Sequence, residues 1–332
     1  MRDPFFIAPI PWLSELARPL CELLNLPSLP LHIHEVLAAA FFYSLIFYPV
    51  SPVLSSLLAP RHYAELPRKK RLSWDAHVVS MIQSTLINVL AAWVIFADDE
   101  RRLMSWEERV WGYTGAAGMI QALAAGYFVW DLAVTCRNID VFGLGTLAHA
   151  LAALLVYFLG FQRPFVNYYG CVFILWELST PFLNIHWFMD KTNMTGSRAQ
   201  LYNGYILLFT FFSCRLVYGT CQSVLAFRDI WAAVNITPNA ISRESAVMVF
   251  ANDTSVIPHW LAVIYLASNL TLNSLNFYWF IMMIKAVRKR FQPSARQGRP
   301  LIRDGISSTT GLSSGHKPRR TARGGTGHST IS

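Results

Sequence analysis

Apolar residues run along this chain in seven long blocks, separated by short polar stretches. The blocks lie near residues 35–59, 74–97, 113–136, 144–160, 164–187, 201–225 and 258–284. A helix needs about 20 predominantly apolar residues to cross the hydrocarbon core of a bilayer. The pattern therefore predicts an all-α, polytopic membrane helical bundle of about seven spans, with the fourth one short. Pro49 and Pro52 predict a kink in the first span. Gly143 and Gly145 precede the fourth span and Arg163-Pro164 follows it, so spans four and five are expected to form a tight helical hairpin. No repeat of 20–50 residues is visible.

Within these blocks the polar residues are not scattered. His77, Ser80, Ser84 and Asn88 share one helical face, as do Tyr127, Asp131, Thr135 and Asn138, and as do Asn269, Asn273 and Asn276. Glu177 and Asn184 are seven apart and align too. Lipid does not solvate such faces, so they are expected to turn inward. Asp131, His149, Glu177 and Arg215 lie in or near the ends of four different blocks. An ionisable residue at that depth costs about 2.5–3.5 kcal/mol on insertion scales, so these four point to a polar cavity inside the bundle. Arg215 is expected to pair with Glu177 or with Asp131, and spacing alone does not choose between them. His77, His149 and His186 stand on three spans with no HxxxH or HExxH pairing, so no metal site is expected.

Composition agrees with a membrane protein. Of 332 residues, 54% are hydrophobic and only 14% charged, against about 25% charged in soluble domains. The formal net charge is +9, and it is concentrated at the end. Eleven Lys/Arg stand from Lys285 onward against one acid, Asp304. That Gly/Ser/Thr-rich tail reads as disordered. Its expected partner is an anionic membrane leaflet rather than nucleic acid. The five cysteines form no CxxC pair and read as packing residues. Pro4, Pro9 and Pro11 interrupt the N-terminus before a signal-peptide core can form, so targeting is expected to come from the first span.

The loops set orientation. With seven spans, the side that carries the loops near 60–73, 137–143 and 188–200 and the tail holds 19 Lys/Arg, and the other side holds 8. The positive-inside rule makes the tail cytosolic and the N-terminus lumenal. The sequon Asn252-Asp253-Thr254 then falls in the lumen, and Asn252 is the expected glycosylation site. Asn235-Ile236-Thr237 is the poorer acceptor because Pro238 follows it. Asn193-Met194-Thr195 is expected to stay bare. Three regions result: a lumenal segment 1–34, a membrane domain 35–285 and a cytosolic basic tail 286–332.

Several stretches resemble a known family. They are Trp74-Asp75-Ala76-His77, Gly126-Tyr127-Phe128-Val129-Trp130-Asp131-Leu132, Leu147-Ala148-His149-Ala150-Leu151-Ala152, and Trp176-Glu177-Leu178-Ser179-Thr180-Pro181-Phe182-Leu183-Asn184-Ile185 with Trp187-Phe188. Asn203-Gly204, Phe211-Phe212 and Arg215 continue the pattern. Together they resemble the TLC domain of translocation-associated membrane proteins, ceramide synthases and the CLN8 protein, over roughly residues 70–285. The resemblance is stronger to the TLC-domain-containing, TMEM56-like branch than to the ceramide synthases.

The resemblance implies a multi-pass protein of the endoplasmic reticulum or a related membrane, with a role in lipid homeostasis. Ceramide synthases carry two adjacent histidines in one span. Here only the second is present, His149, and Ala148 stands in place of the first. The leading expectation is therefore a protein that binds or handles a membrane lipid, without a cofactor, in a cavity lined by His77, Asp131, His149, Glu177, Asn184, Arg215 and Asn273. The alternative is a lipid N-acyltransferase of ceramide synthase type with acyl-CoA as co-substrate. In that reading His149 is the base or nucleophile, a carboxylate such as Asp131 orients its ring, and Arg215 holds a headgroup.

Overall fold

The computed structural model describes residues 1–162, 165–239, 243–252 and 254–291, and the side chains of all these except 288–291. The expected hairpin corner at Arg163-Pro164 and nearly all of the basic tail lie outside the described residues. All regular structure among the described residues is helical.

The chain opens with a helix that the hydrophobic blocks did not predict, α1 (Pro11–Leu24), ended by Asn25 in the left-handed conformation. Next comes α2 (Leu29–Leu58). It starts six residues before the expected block because Pro30 occupies the first helical turn, where its missing N–H costs nothing. The expected disturbance at Pro49 takes the form of a π segment, Ile46–Val50, in which the Ser51 N–H reaches the Ile46 carbonyl five residues back. Proline cannot donate to the fourth carbonyl behind it, and the wider turn re-bonds the backbone around that gap.

Helices α3 (Arg68–Ala97), α4 (Gly115–Arg137) and α5 (Ile139–Leu159) follow. The Thr114 hydroxyl caps α4 by accepting from the Ala117 N–H. Helix α5 breaks at Gly143, whose φ of +81° glycine adopts without strain. The fifth hydrophobic block is divided into α6 (Asn167–Phe173), a 3₁₀ stretch Ile174–Ser179, and α7 (Thr180–Lys191). Helix α8 (Arg198–Ala233) has a π segment at Phe212–Tyr218. The last helix is α9 (His259–Phe291).

Five of these, α2, α3, α4, α5 and α8, are long and apolar enough to cross a membrane. Helix α4 is the most enclosed of the five. Its Ala116, Ala117, Ala122, Ala124 and Ala125 are fully covered, and small residues of this kind let membrane helices approach closely. It packs between α2 and α5. The outer faces carry exposed Phe41, Leu57, Phe96, Phe209, Trp231 and Val263, the surface a bilayer would cover. The polar stripes point the other way. Ser84, Asn88, Thr135, Asn269, Asn273 and Asn276 are all buried.

Candidate functional site

The site is built where two helices depart from regular geometry. Pro181 has no N–H to give the Glu177 carbonyl, so the Thr180 N–H bonds it instead, and the turn tightens to 3₁₀ around Glu177. Across from it, the Gly219 N–H bonds the Cys214 carbonyl five residues back, which makes the turn bearing Arg215 a wide one. Mid-helix 3₁₀ and π turns recur at functional positions. Gly219 also sets the distance between the two elements. A Cβ there would stand 2.0 Å from Trp176 Nε1, so only glycine lets α8 come this near the residue before Glu177.

Arg215 is 5% exposed and fully engaged. Its Nε donates to Ser179 Oγ at 3.0 Å, Nη1 to Asn276 Oδ1 at 3.0 Å, and Nη2 to Thr180 Oγ1 at 2.9 Å and to Glu177 Oε1 at 3.4 Å. The Thr180 hydroxyl in turn donates to Glu177 Oε2 at 2.7 Å. Of the two carboxylates the sequence allowed, Glu177 is the partner. The direct contact is long and the hydroxyl-bridged route is short, so Thr180 carries much of the coupling. The guanidinium also lies over the Phe211 ring, 4.9 Å from its centroid.

A cavity of about 540 Å³ opens beside this pair, within the roughly 300–1,000 Å³ of small-molecule sites. His77, Ser80, Asp131, His149, Glu177, Thr180, Asn184 and Arg215 supply its polar wall. Trp130, Phe142, Leu183, Phe211, Trp279 and Met283 supply apolar surface. The structure thus brings His77, Asp131, His149, Glu177, Asn184 and Arg215 to one space. Asn273 stands apart from that lining and serves another purpose, joining α9 to α8 through Ser223 Oγ at 2.9 Å.

Two histidines in the wall differ in how they are held. Asn184 Nδ2 donates to Ser80 Oγ at 3.0 Å, so its Oδ1 is left to accept from His77 Nδ1 at 2.7 Å. That bond fixes the neutral tautomer of His77 with its lone pair on Nε2. The ring stacks on Trp187, with centroids 4.1 Å apart. His149 packs against Phe128 and Trp279, and its Nδ1 has no hydrogen-bond partner among the described residues. Among the described residues, neither Asp131 nor Glu177 orients the His149 ring, as the catalytic reading required.

Asp131 faces the cavity with the Thr135 hydroxyl as neighbour. Ser179, Thr180 and Trp187 belong to the motifs that carry the family resemblance, but neither they nor Trp279 were expected in the site. Thr180 and Ser179 are legible only as the hydroxyls that flank Glu177, and the aromatics look like ordinary apolar residues. Outside the cavity, Asn252 is exposed, and its Oδ1 accepts from the Thr254 N–H and hydroxyl at 3.0 and 2.8 Å.

Comparison with known proteins gives a consistent result. The family profile described as TLC domain matches residues 73–285. An uncharacterized TLC domain-containing protein of Schizosaccharomyces pombe is 41% identical over 278 residues, 84% of this chain and 86% of its own. Topoisomerase I damage affected protein 4 of Saccharomyces cerevisiae is 28% identical over 270 residues, 79% of this chain and 87% of its own. Human TLC domain-containing protein 4 is 29% identical over 191 residues, 55% of this chain and 71% of its own.

Proposed function

The chain belongs to the TLC domain family of membrane proteins, linked to lipid metabolism and homeostasis, and from that premise we propose that it binds the polar end of a membrane lipid in the cavity beside Arg215. The observation that carries this reading is the charge inventory of the wall. Arg215 and Glu177 neutralise each other, while Asp131 has no ion-pair partner among the described residues. Asp131 lines the cavity beside the Thr135 hydroxyl, and a carboxylate can accept several hydrogen bonds, so the cavity favours a headgroup that brings an amine or hydroxyl donors. The apolar wall suits the first part of the hydrocarbon chain. A sphingoid-type lipid fits that chemistry.

In this reading the protein resides in the endoplasmic reticulum with a cytosolic tail held to an anionic leaflet. It has about seven spans, the two beyond the five long ones being α6–α7 and α9. Asn252 is the lumenal glycosylation site. The second reading is acyl transfer from acyl-CoA to a lipid amine, with His149 as base or nucleophile and Asp131 beside the amine. It ranks second because among the described residues no carboxylate holds the His149 ring, and an activating base is commonly oriented by a third group.

The test is to purify the chain in mild detergent, identify co-purifying lipids by mass spectrometry, and assay acyl transfer on the same sample. An amine- or hydroxyl-bearing lipid should co-purify in wild type and be depleted in Asp131→Asn. Acyl transfer that disappears in His149→Gln at unchanged protein yield would install the second reading. Lipid content identical in Asp131→Asn and wild type would overturn the first.

A further inference from the structure

A second group of ionisable side chains lies far from the cavity, where the N-terminal segment meets the starts of α2 and α4. We propose that Asp3, His32 and Glu35 form a binding site for a divalent transition-metal cation, with Zn²⁺ as the fitting case.

Three donor atoms converge there. His32 Nδ1 lies 3.0 Å from Glu35 Oε2 and 3.5 Å from Asp3 Oδ2, and one atom from each residue falls within 4.8 Å of the others. Zinc bonds oxygen and nitrogen at about 2.0–2.2 Å in tetrahedral geometry, which sets ligand atoms about 3.4 Å apart. The two histidine distances bracket that edge. The ligand set of one imidazole and two carboxylates leaves a fourth position for water.

The surroundings are those of a metal's outer shell. His32 Nε2 is bonded to Tyr113 Oη at 2.6 Å. A hydrogen bond at the far ring nitrogen is what orients a ligating histidine, and it leaves Nδ1 as the atom toward the carboxylates. Glu35 is wholly buried, and among the described residues its Oε1 receives no hydrogen bond. His34 Nε2 stands 3.8 Å from that oxygen and is bonded instead to the Ile7 carbonyl at 2.9 Å. Buried carboxylates are paired, hydrogen-bonded, neutralised or bound to a metal, and Glu35 sits against a second carboxyl group, Asp3, so one divalent cation would satisfy both. The space is also shaped for this purpose. A Cβ on Gly118 of α4 would stand 2.4 Å from His32 Nε2. The backbone leading to Asp3 is held by the Gly115 N–H, which donates to the Met1 carbonyl at 3.1 Å. His32 and Glu35 are three apart on α2, on one helical face, so that helix presents both from a rigid element.

The experiment uses the full, untagged chain in detergent, stripped with a chelator and titrated with Zn²⁺ by calorimetry, with bound metal counted by elemental mass spectrometry. One zinc per chain should bind, and the melting temperature should rise with zinc. His32→Gln and Asp3→Asn should each weaken binding by at least about 100-fold, since loss of an outer-shell partner alone costs about 10–100-fold. Tyr113→Phe should fall within that smaller range. Asp3 is partly exposed on the N-terminal segment, so Asp3→Asn keeps the fold intact if His32→Gln does not. No zinc uptake by wild type at micromolar concentration would show that the cluster is an ion pair without metal. Uptake that is the same in wild type and Asp3→Asn would place the zinc elsewhere. Either result overturns the proposal.

Discussion

Thr180, rather than the direct ion pair, should dominate the coupling between Arg215 and Glu177. Arg215 donates four side-chain hydrogen bonds. Polar contacts between membrane helices average about 0.6 kcal/mol and reach about 1.7, because the unfolded state in the membrane also finds partners. Four average contacts make Arg215→Leu about 2.4 kcal/mol destabilising. Removing one partner of a buried pair in a soluble protein costs about 3–5 kcal/mol. The membrane value is the better guide here, because Glu177 keeps its Thr180 donor. Thr180→Val preserves shape but removes both short contacts, at 2.9 and 2.7 Å, for about 1.2 kcal/mol by the same average. Glu177→Leu removes the 3.4 Å contact and strands the Thr180 hydroxyl, for about 1 kcal/mol on that scale. The double variant Arg215→Leu/Glu177→Leu should cost less than the sum of its parts by at least about 0.5 kcal/mol. Unfolding by SDS titration in mixed micelles, followed by tryptophan fluorescence, measures all four. The reasoning fails if Thr180→Val unfolds with wild type, or if the two single losses simply add.

Three further outcomes are expected. Gly219→Ala should push Trp176 off α8 and lower both yield and melting temperature, whereas Gly196→Ala, with open space at its Cβ, should cost only the strain of its positive φ. Asn252→Gln should remove the glycosidase-sensitive gel shift of a chain expressed in microsomes, and Asn193→Gln should leave it unchanged. Burial pushes the Glu108 carboxyl upward, but hydrogen bonds from Ser245 and Ser105 outweigh it and hold it below the usual carboxylate range. A depressed carboxylate stabilises the fold above its unfolded pKa and loses that contribution as pH falls. Ser245→Ala should therefore shrink the loss of melting temperature on acidification below about pH 4.5.

Hydrophobic blocks and polar periodicity are enough to place most of this bundle. Burial is read directly from a 3.6-residue period, and the inward faces of α3, α4 and α9 follow from it. Three things were not legible. The choice of Glu177 for Arg215 depends on where two irregular turns aim their side chains, and an ideal 100° step gives the wrong angle on both. The purpose of Asn273 was ambiguous because an amide that joins two helices and an amide that lines a cavity have the same spacing. The hydrophobic block starts the first span at Glu35 and leaves His32 in the N-terminal segment, so the two do not read as one helical face. Their polarity masked a helix that begins at Leu29, and Pro30 was the available signal. Their third partner, Asp3, is distant in sequence and reaches them through tertiary contacts of the N-terminal segment, from Met1 to Gly115 and Asp98 and from Ile7 to His34.

The π segment of α8 has a consequence for how this helix tolerates change in length. A turn closed five residues back holds about one residue more than its α-helical neighbours. A single-residue deletion between Phe212 and Tyr218 should let the helix heal to regular pitch, with both flanks keeping their orientation. Ser223 would still meet Asn273, and Asp229 would still meet Arg109. The same deletion in the regular turns between Arg198 and Phe211 would rotate everything beyond it by about 100° and break both contacts. The widened turn is thus a slack link in an otherwise rigid rod, and its one surplus residue is what allows Arg215 to leave the ordinary helical path.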